Sequence, residues 1–320
     1  MSATDIPRPK CYVQTWLTVD FLEKYLYITH VTVPMLNMIF LGAQMAFNIL
    51  ILIAIIKNNR IRTPSTLLLG NICIKDLVIA SILQPNGIFR SINFLVQDNH
   101  CYKSAADDIR PFTVFLYRCV SLASWVMVSI DRWLAIRRAS KYRVIFTRKR
   151  AYIAIGVGWI YSVVLSYLAT FVMNKDQRYL LVFIQFGLTC LIIIYIQINV
   201  YRSIKAHGSN IGALTSAQQT QAAIEERVSI TVAYFVIALA ISYLPMIIDA
   251  LLFYFGTNLS LMTSPWCEML LLANGAINPF IWLKTSEQMR KAVKDAASLP
   301  SWMFSSRVAP AASSQETENT

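Results

Sequence analysis

Charge is what this sequence has least of. Only 14% of its 320 residues are Asp, Glu, Lys or Arg, against about 25% in an average soluble chain. Hydrophobic residues make up 56%, and mean hydropathy is +0.50. Helical amphipathicity is scarce too. The apolar residues lie in long blocks without the polar stripe that a helix on a soluble protein carries. These two shortages exclude an ordinary soluble domain. No internal repeat is visible, so the inverted-repeat signature of many transporters is missing. The first apolar block does not read as a signal peptide, because about thirty mixed polar residues precede it without a convincing small-residue cleavage site.

What is present is seven apolar blocks, each long enough for a membrane-spanning helix of roughly 20 residues. They run from about Val33 to Ile56, Ser65 to Ile88, Asp107 to Ile136, Ala151 to Met173, Leu180 to Ile204, Ile230 to Phe255 and Leu261 to Leu283. The fold class expected is an all-α membrane protein, a seven-transmembrane helix bundle. Thr285 to Ala297 follows with Met289, Ala292, Val293 and Ala296 on one face and Arg290, Lys291 and Lys294 toward the other. This pattern predicts a short amphipathic eighth helix on the inner leaflet. The division expected is an outer segment 1–32, the spans 33–284, the amphipathic helix 285–297 and a disordered polar tail 298–320.

Orientation follows from Lys and Arg, which concentrate on the cytoplasmic side. The segments after blocks one, three, five and seven hold eighteen of them, including the cluster Arg137, Arg138, Lys141, Arg143, Arg148, Lys149 and Arg150, and the opposite side holds eight. The N-terminus is therefore expected outside. The net charge of +12 then reads as topology and attraction to anionic membrane lipids, not as nucleic-acid binding. Asn258, in the sequence Asn-Leu-Ser, is the glycosylation candidate on the outer side. Cys73, Cys119 and Cys190 fall within spans as packed thiols. Cys11, Cys101 and Cys267 are expected outside, where disulfides form. Three allow one pair and one free thiol, and sequence does not choose the pair.

Ionisable residues inside spans are costly and mark function. Asp76 sits beside Lys75 in mid-span, Arg118 lies in mid-span, Asp131 and Arg132 close the third block, and Asp249 lies beyond Pro245. Asn48, Asn274 and Asn278 join them. Pro245 and Pro279 each free a carbonyl and kink a helix, making candidate hinges.

In order and spacing these residues resemble the rhodopsin-like (class A) G-protein-coupled receptors over about residues 33 to 297. Asn48 looks like the asparagine of the first helix and Asp76 like the aspartate of the second. Asp131, Arg132 and Trp133 resemble the DRY motif. Trp159 and Tyr195 match a tryptophan of the fourth helix and a tyrosine of the fifth. Ser242 to Pro245 occupies the place of CWxP, and Asn278 to Trp282 that of NPxxY.

The resemblance implies a receptor without catalytic residues or an obligatory cofactor. An agonist biases an inactive-to-active equilibrium, and a heterotrimeric G protein exchanges nucleotide at the cytoplasmic face. The resemblance also implies that Arg132 pairs with Asp131 and reaches Glu225. Tyr195, Tyr243, Pro245, Asn278, Pro279 and Trp282 complete the activation switch. Asp76, Ser121, Asn274 and Asn278 match an allosteric sodium pocket; the alternative for Asp76 is a protonated or water-bridged carboxyl beside Lys75.

Departures are equally specific. Asp107 stands where the family usually carries a cysteine, the loop between spans four and five has none, and Gly187 replaces a proline of span five. A partial likeness to melanocortin-type receptors follows, although those carry DPxxY and this chain has Asn278. Tyr243, Trp133 and Trp282 replace signature residues and put coupling efficiency and partner choice in question.

The ligand candidates are Asn86, Asp107, Val114, Arg118 and Asp249. Val114 stands where amine receptors carry aspartate, which argues against an amine, and Leu272 replaces the lysine that would hold retinal. Arg118 has two readings: an internal pair with Asp76 or Asp249, or a contact with an anionic head group of a lipid or peptide acid. Asp107 and Asp108 read as solvated helix-start acids or as contacts for a cationic peptide or calcium. The leading function is a plasma-membrane receptor for an unknown extracellular ligand. The alternatives are a receptor-like binding protein that does not signal and a transporter or channel.

Overall fold

The computed structural model describes residues 19–59, 61–96, 105–208, 234, 237–252, 254–255 and 259–297. No strand occurs among the described residues. The helices are α1 (Val19–Lys57), α2 (Pro64–Val96), α3 (Ala105–Arg137), α4 (Ala139–Ile145), α5 (Arg148–Tyr167), α6 (Lys175–Gly208), α7 (Ile237–Leu252), α8 (Leu259–Thr285) and α9 (Glu287–Ala297). A π turn over Leu168–Val172 continues α5.

Helix starts are written locally. Thr63 caps α2, its Oγ1 accepting from Thr66 N at 3.2 Å, and Pro64 fills the first helical position, where a missing N–H costs nothing. Asn174 and Gln177 cap α6 reciprocally: Gln177 N donates to Asn174 Oδ1 at 2.9 Å and Asn174 N to Gln177 Oε1 at 3.1 Å, which is a capping box. Ser286 Oγ accepts from Met289 N at 3.2 Å and separates α9 from α8.

Five described helices are long and apolar enough to cross a bilayer, and Ile237–Leu252 is a shorter apolar helix. α8, 27 residues long, is more polar, with Glu268, Asn274 and Asn278 along it. The burial pattern is that of a protein in lipid. On α5 the buried side chains are Ala151, Ser162 and Ser166, while Tyr152, Val157, Ile160 and Val164 face outward. Small residues inside let helices approach closely where lipid offers no hydrophobic drive to association.

α3 is the axis, in contact with α2, α4, α5 and α6, and α1 packs on α2, α8 and α9. The main core runs through the middle from Ile51, Leu68 and Ile79 to Tyr117, Trp125, Tyr243, Leu271 and Trp282. Asn71 knits three helices together: its Nδ2 donates to Ser124 Oγ on α3 at 2.9 Å, and its Oδ1 accepts from Trp159 Nε1 on α5 at 2.8 Å.

Two elements differ from expectation. α1 begins at Val19 rather than near Val33, because Asp20 to Thr32 extends the helix with mixed side chains that carry no apolar signal. On α9 the face formed by Met289, Ala292, Val293 and Ala296 is buried in the main core. That face meets α1 rather than the lipid surface.

Candidate functional site

Three polar levels follow one another down the bundle. At the outer level, a cavity of about 220 Å³ opens between α3, α6, α7 and α8, with Arg110, Val114, Arg178, Asp249 and Glu268 among its walls. Its acids are engaged. Glu268 is ion-paired to Arg110, and Asp249 accepts from Thr263 Oγ1 at 2.5 Å and Ser264 Oγ at 2.9 Å. Cys267 in the same wall is a free buried thiol that donates to the Pro245 carbonyl at 3.5 Å. Its expected place among the disulfide candidates is corrected accordingly: Pro265 and Trp266 lie within α8, so the helix carries Cys267 into the bundle. Cys11, Cys101, Asn258 and Glu225 lie outside the described residues.

Below this cavity, sharing Phe115 and Met246 with it, lies a narrow recess lined by Arg118, Gln185, Phe186 and Tyr243. Arg118 lies over the Phe115 ring at 4.9 Å. It makes no ion pair among the described residues, and its Nε has no hydrogen-bond partner. The internal pair with Asp76 or Asp249 is therefore not what the fold builds: Asp76 is taken by Lys75, and Asp249 by the hydroxyls of α8. The Nε atoms of Arg110 and Arg178 are likewise buried and unpartnered. Tyr243, 2% exposed, stacks on Phe186 at 5.9 Å between centroids. Val114 faces the outer cavity, and Asn86 on α2 has a buried, unpartnered Oδ1. Asp107 lies in the first turn of α3.

At the middle level Asp76 is fully buried. Its Oδ1 lies 2.6 Å from Lys75 Nζ and accepts from the Tyr117 hydroxyl at 3.3 Å. Its Oδ2 accepts from Asn278 Nδ2 at 3.3 Å. Lys75 Nζ also donates to Ser121 Oγ at 2.9 Å and sits 4.4 Å over the Tyr117 ring. Gln44 Nε2 holds the Asp76 carbonyl at 2.8 Å, and Gln84 Nε2 donates to Gln44 Oε1 at 3.2 Å. Asn48 Nδ2 donates to the Gln44 and Gly275 carbonyls at 2.8 and 3.1 Å. Gly275 is required here: a Cβ on it would collide with the Gln44 amide and come within 2.9 Å of Asp76 Oδ1. Asn274 is buried with both side-chain polar atoms unpartnered. The sodium expectation meets this geometry badly. A hard cation needs the carboxylate and hydroxyl oxygens, and the ammonium already engages one of each.

The inner level is the pair that closes the third apolar block, Asp131 and Arg132. Arg132 Nε donates to Asp131 Oδ2 at 2.8 Å, and its Nη2 reaches the same oxygen and Ser65 Oγ at the start of α2. The Tyr142 hydroxyl on α4 donates to Asp131 Oδ1 at 2.5 Å and lies 2.9 Å from Ser65 Oγ. Burial pushes the Tyr142 phenol above its ordinary pKa, and Asp131 adds to the rise. Trp133 packs on Ile196 and Val200 of α6, with the Arg137 guanidinium 5.4 Å over its ring. Trp282 is buried, one turn from Asn278 and past Pro279 on α8. Tyr195 is 65% exposed and points away from the bundle, apart from the other switch residues.

Sequence reading missed Lys75 as a ligand of Asp76, and with it Tyr117, Gln44, Ser65 and Tyr142. Gln44 carried a signal, standing four residues before Asn48 and so on the same helical face. Ser65 and Tyr142 carried none, since a hydroxyl at a helix start or in a loop is commonplace.

Residues 47–282 match the family model described as "7 transmembrane receptor (rhodopsin family)". The chain is 24% identical over 289 residues to cannabinoid receptor 1 of Xenopus laevis, an alignment covering 77% of this chain and 58% of that one. It is 23% identical over 292 residues to trace amine-associated receptor 9 of Mus musculus, covering 79% and 81%. Squid rhodopsin superposes with a TM-score of 0.72 at 20% identity, over 92% of this chain and 90% of that chain, which establishes a shared fold.

Proposed function

Because the chain belongs to the rhodopsin family of seven-transmembrane receptors, and is thus a multi-pass membrane receptor and not an enzyme, we propose that it takes an anionic extracellular ligand between α3, α6, α7 and α8. It passes that event to a heterotrimeric G protein at the cytoplasmic face of the plasma membrane, with its N-terminus outside.

The observation that carries the ligand class is Arg118. A half-buried guanidinium whose Nε is buried and unpartnered is costly unless something anionic completes it, and Arg118 lines a recess below an outer cavity. The nearby acids are already satisfied by Arg110, Thr263 and Ser264. Three arginines, Arg110, Arg118 and Arg178, stand against two acids, Asp249 and Glu268, so the residual charge of the two chambers is positive. The relatives do not choose for this chain, since one is named for cannabinoids and another for trace amines. Val114 lining the outer cavity supports the choice against an amine, because it offers no counter-charge.

The recess supports a route from ligand to switch. An acid reaching Arg118 parts the Phe186 ring from Tyr243, and Tyr243 stands two residues before the helix-kinking Pro245 on α7. Moving α7 opens the inner cleft in which Arg132, released from Asp131 and Ser65, meets the G protein.

The experiment is a screen of carboxylate and phosphate compounds, acidic lipids and peptides included, read by G-protein dissociation in cells. An activator found there should lose about tenfold or more in potency on Arg118→Leu at equal surface expression. Arg132→Ala should abolish exchange while leaving surface expression intact. A hit set dominated by amines and indifferent to Arg118 sinks the ligand class. A second reading, a receptor-like protein that binds without coupling, is favoured by the indole of Trp282, which lacks the hydroxyl of the family's tyrosine. Binding without nucleotide exchange on any G protein would establish it.

A further inference from the structure

We infer that Lys75 is a tethered internal cation that permanently occupies the place at Asp76 where a mobile sodium ion would act, so that this receptor is insensitive to sodium.

The ammonium has three N–H directions, and each meets a partner. Nζ lies 2.6 Å from Asp76 Oδ1, donates to Ser121 Oγ at 2.9 Å, and faces the Tyr117 ring at 4.4 Å. Carboxylate, hydroxyl and ring face are the three groups that stabilise a buried ammonium. Lys75 and Asp76 are each 0% exposed. A charge so placed is tolerated only when paired, and here the pair comes from neighbouring residues of one helix. That arrangement is unusual, because consecutive helical residues point about 100° apart. Both can be buried only where α2 has helices on both flanks. α1 and α3 supply them, with α8 bringing Asn278 to the second carboxylate oxygen.

A sodium ion at this point would need Asp76 Oδ1 and Ser121 Oγ, the two atoms that the ammonium holds. Adding it would set two cations against one carboxylate in a site closed to water. Tethering also changes the thermodynamics. A free ion is lost by dilution and shifts an equilibrium according to its concentration, whereas the lysine cannot leave and makes the site independent of the medium. Removing the amine should expose the latent site, because Asp76, Ser121, Asn274 and Asn278 then stand around an uncompensated buried charge.

The test is thermal unfolding of the purified full-length protein in detergent. Sodium chloride is exchanged for N-methylglucamine chloride at constant ionic strength. The readout needs neither ligand nor G protein, so its failure leaves the receptor reading untouched. For the wild-type protein the midpoint should not move with sodium. For Lys75→Met it should rise by about 2 °C or more between zero and 150 mM sodium, a size that follows from one weakly bound ion. In Lys75→Met/Asp76→Asn the response should vanish.

Sodium stabilisation of the wild type that disappears in Asp76→Asn overturns the proposal. So does a folded Lys75→Met protein that ignores sodium. If Lys75→Met yields no folded protein, the double variant decides. Recovery of folded protein there shows that the two charges balance each other and supports the proposal, and failure of the double variant as well overturns it.

Discussion

The Tyr142 hydroxyl lies 2.5 Å from Asp131 Oδ1, so the carboxylate that holds Arg132 is itself held from the loop helix α4. Asp131 accepts from Tyr142 on one oxygen and from Arg132 on the other, and Ser65 touches both donors. The lock on the arginine thus joins α2, α3 and α4.

Tyr142→Phe removes one donor from that lock while preserving the ring beside Phe146. A hydrogen bond to a charged group contributes about 1.5–3 kcal/mol, and part of that favours the locked state. Basal nucleotide exchange should rise roughly fivefold at equal surface expression, measured by non-hydrolysable GTP binding in membranes. The phenol pKa is raised in the folded protein, so this contact is fully present below the unfolded tyrosine value and is lost only as pH rises through the higher folded value. Basal exchange in the wild type should therefore show no loosening from Tyr142 between pH 6 and about 9. An unchanged basal rate in Tyr142→Phe would count against the lock.

Asn71→Ala strips partners from both Trp159 and Ser124. Polar contacts between membrane helices contribute about 0.6–2 kcal/mol each. The midpoint of thermal unfolding should fall by roughly 3–6 °C. Ser124→Ala, which removes one of the two bonds and leaves Asn71 bonded to Trp159, should cost less than Asn71→Ala.

Gly275→Ala tests the tightest glycine among the described residues. The added methyl meets the Gln44 amide and the Asp76 carboxylate, two groups already fixed by hydrogen bonds. Overpacking of this kind costs about 1–3 kcal/mol. Surface expression should drop, whereas Gly42→Ala, with nothing near its Cβ position, should be silent.

Cys267 should be a free thiol in the mature protein. Mass spectrometry of non-reduced peptides, with blocking of thiols after unfolding, should recover it carrying the blocking group. A disulfide-linked peptide containing Cys267 would contradict its place inside α8.

Much of this architecture was legible in the sequence because a membrane imposes few choices. Long apolar blocks must be helices, and charges within them must be used. Asp76, Arg118 and Arg132 stood out for that reason. The partners of those charges were not legible. For Arg118 an internal pair with Asp76 or Asp249 stayed open beside a ligand contact, since spacing along a chain says nothing of depth once helices tilt past one another. Lys75 was visible beside Asp76, yet only the flanking helices decide whether such a lysine turns outward or stays in. The start of α1 and the burial of the α9 face on α1 escaped for the same reason, as both depend on neighbours distant in sequence. Tyr142 escaped because α4, at 7 residues, is too short to show a periodicity.

Lys75 is also an amine that water does not touch. Acylating reagents modify lysines that meet solvent, so this side chain stays silent while the bundle is closed and reacts only during excursions that open the core. The rate at which it becomes acylated therefore counts those excursions. The protein carries, at a single known position, its own chemical clock for breathing of the membrane-embedded core.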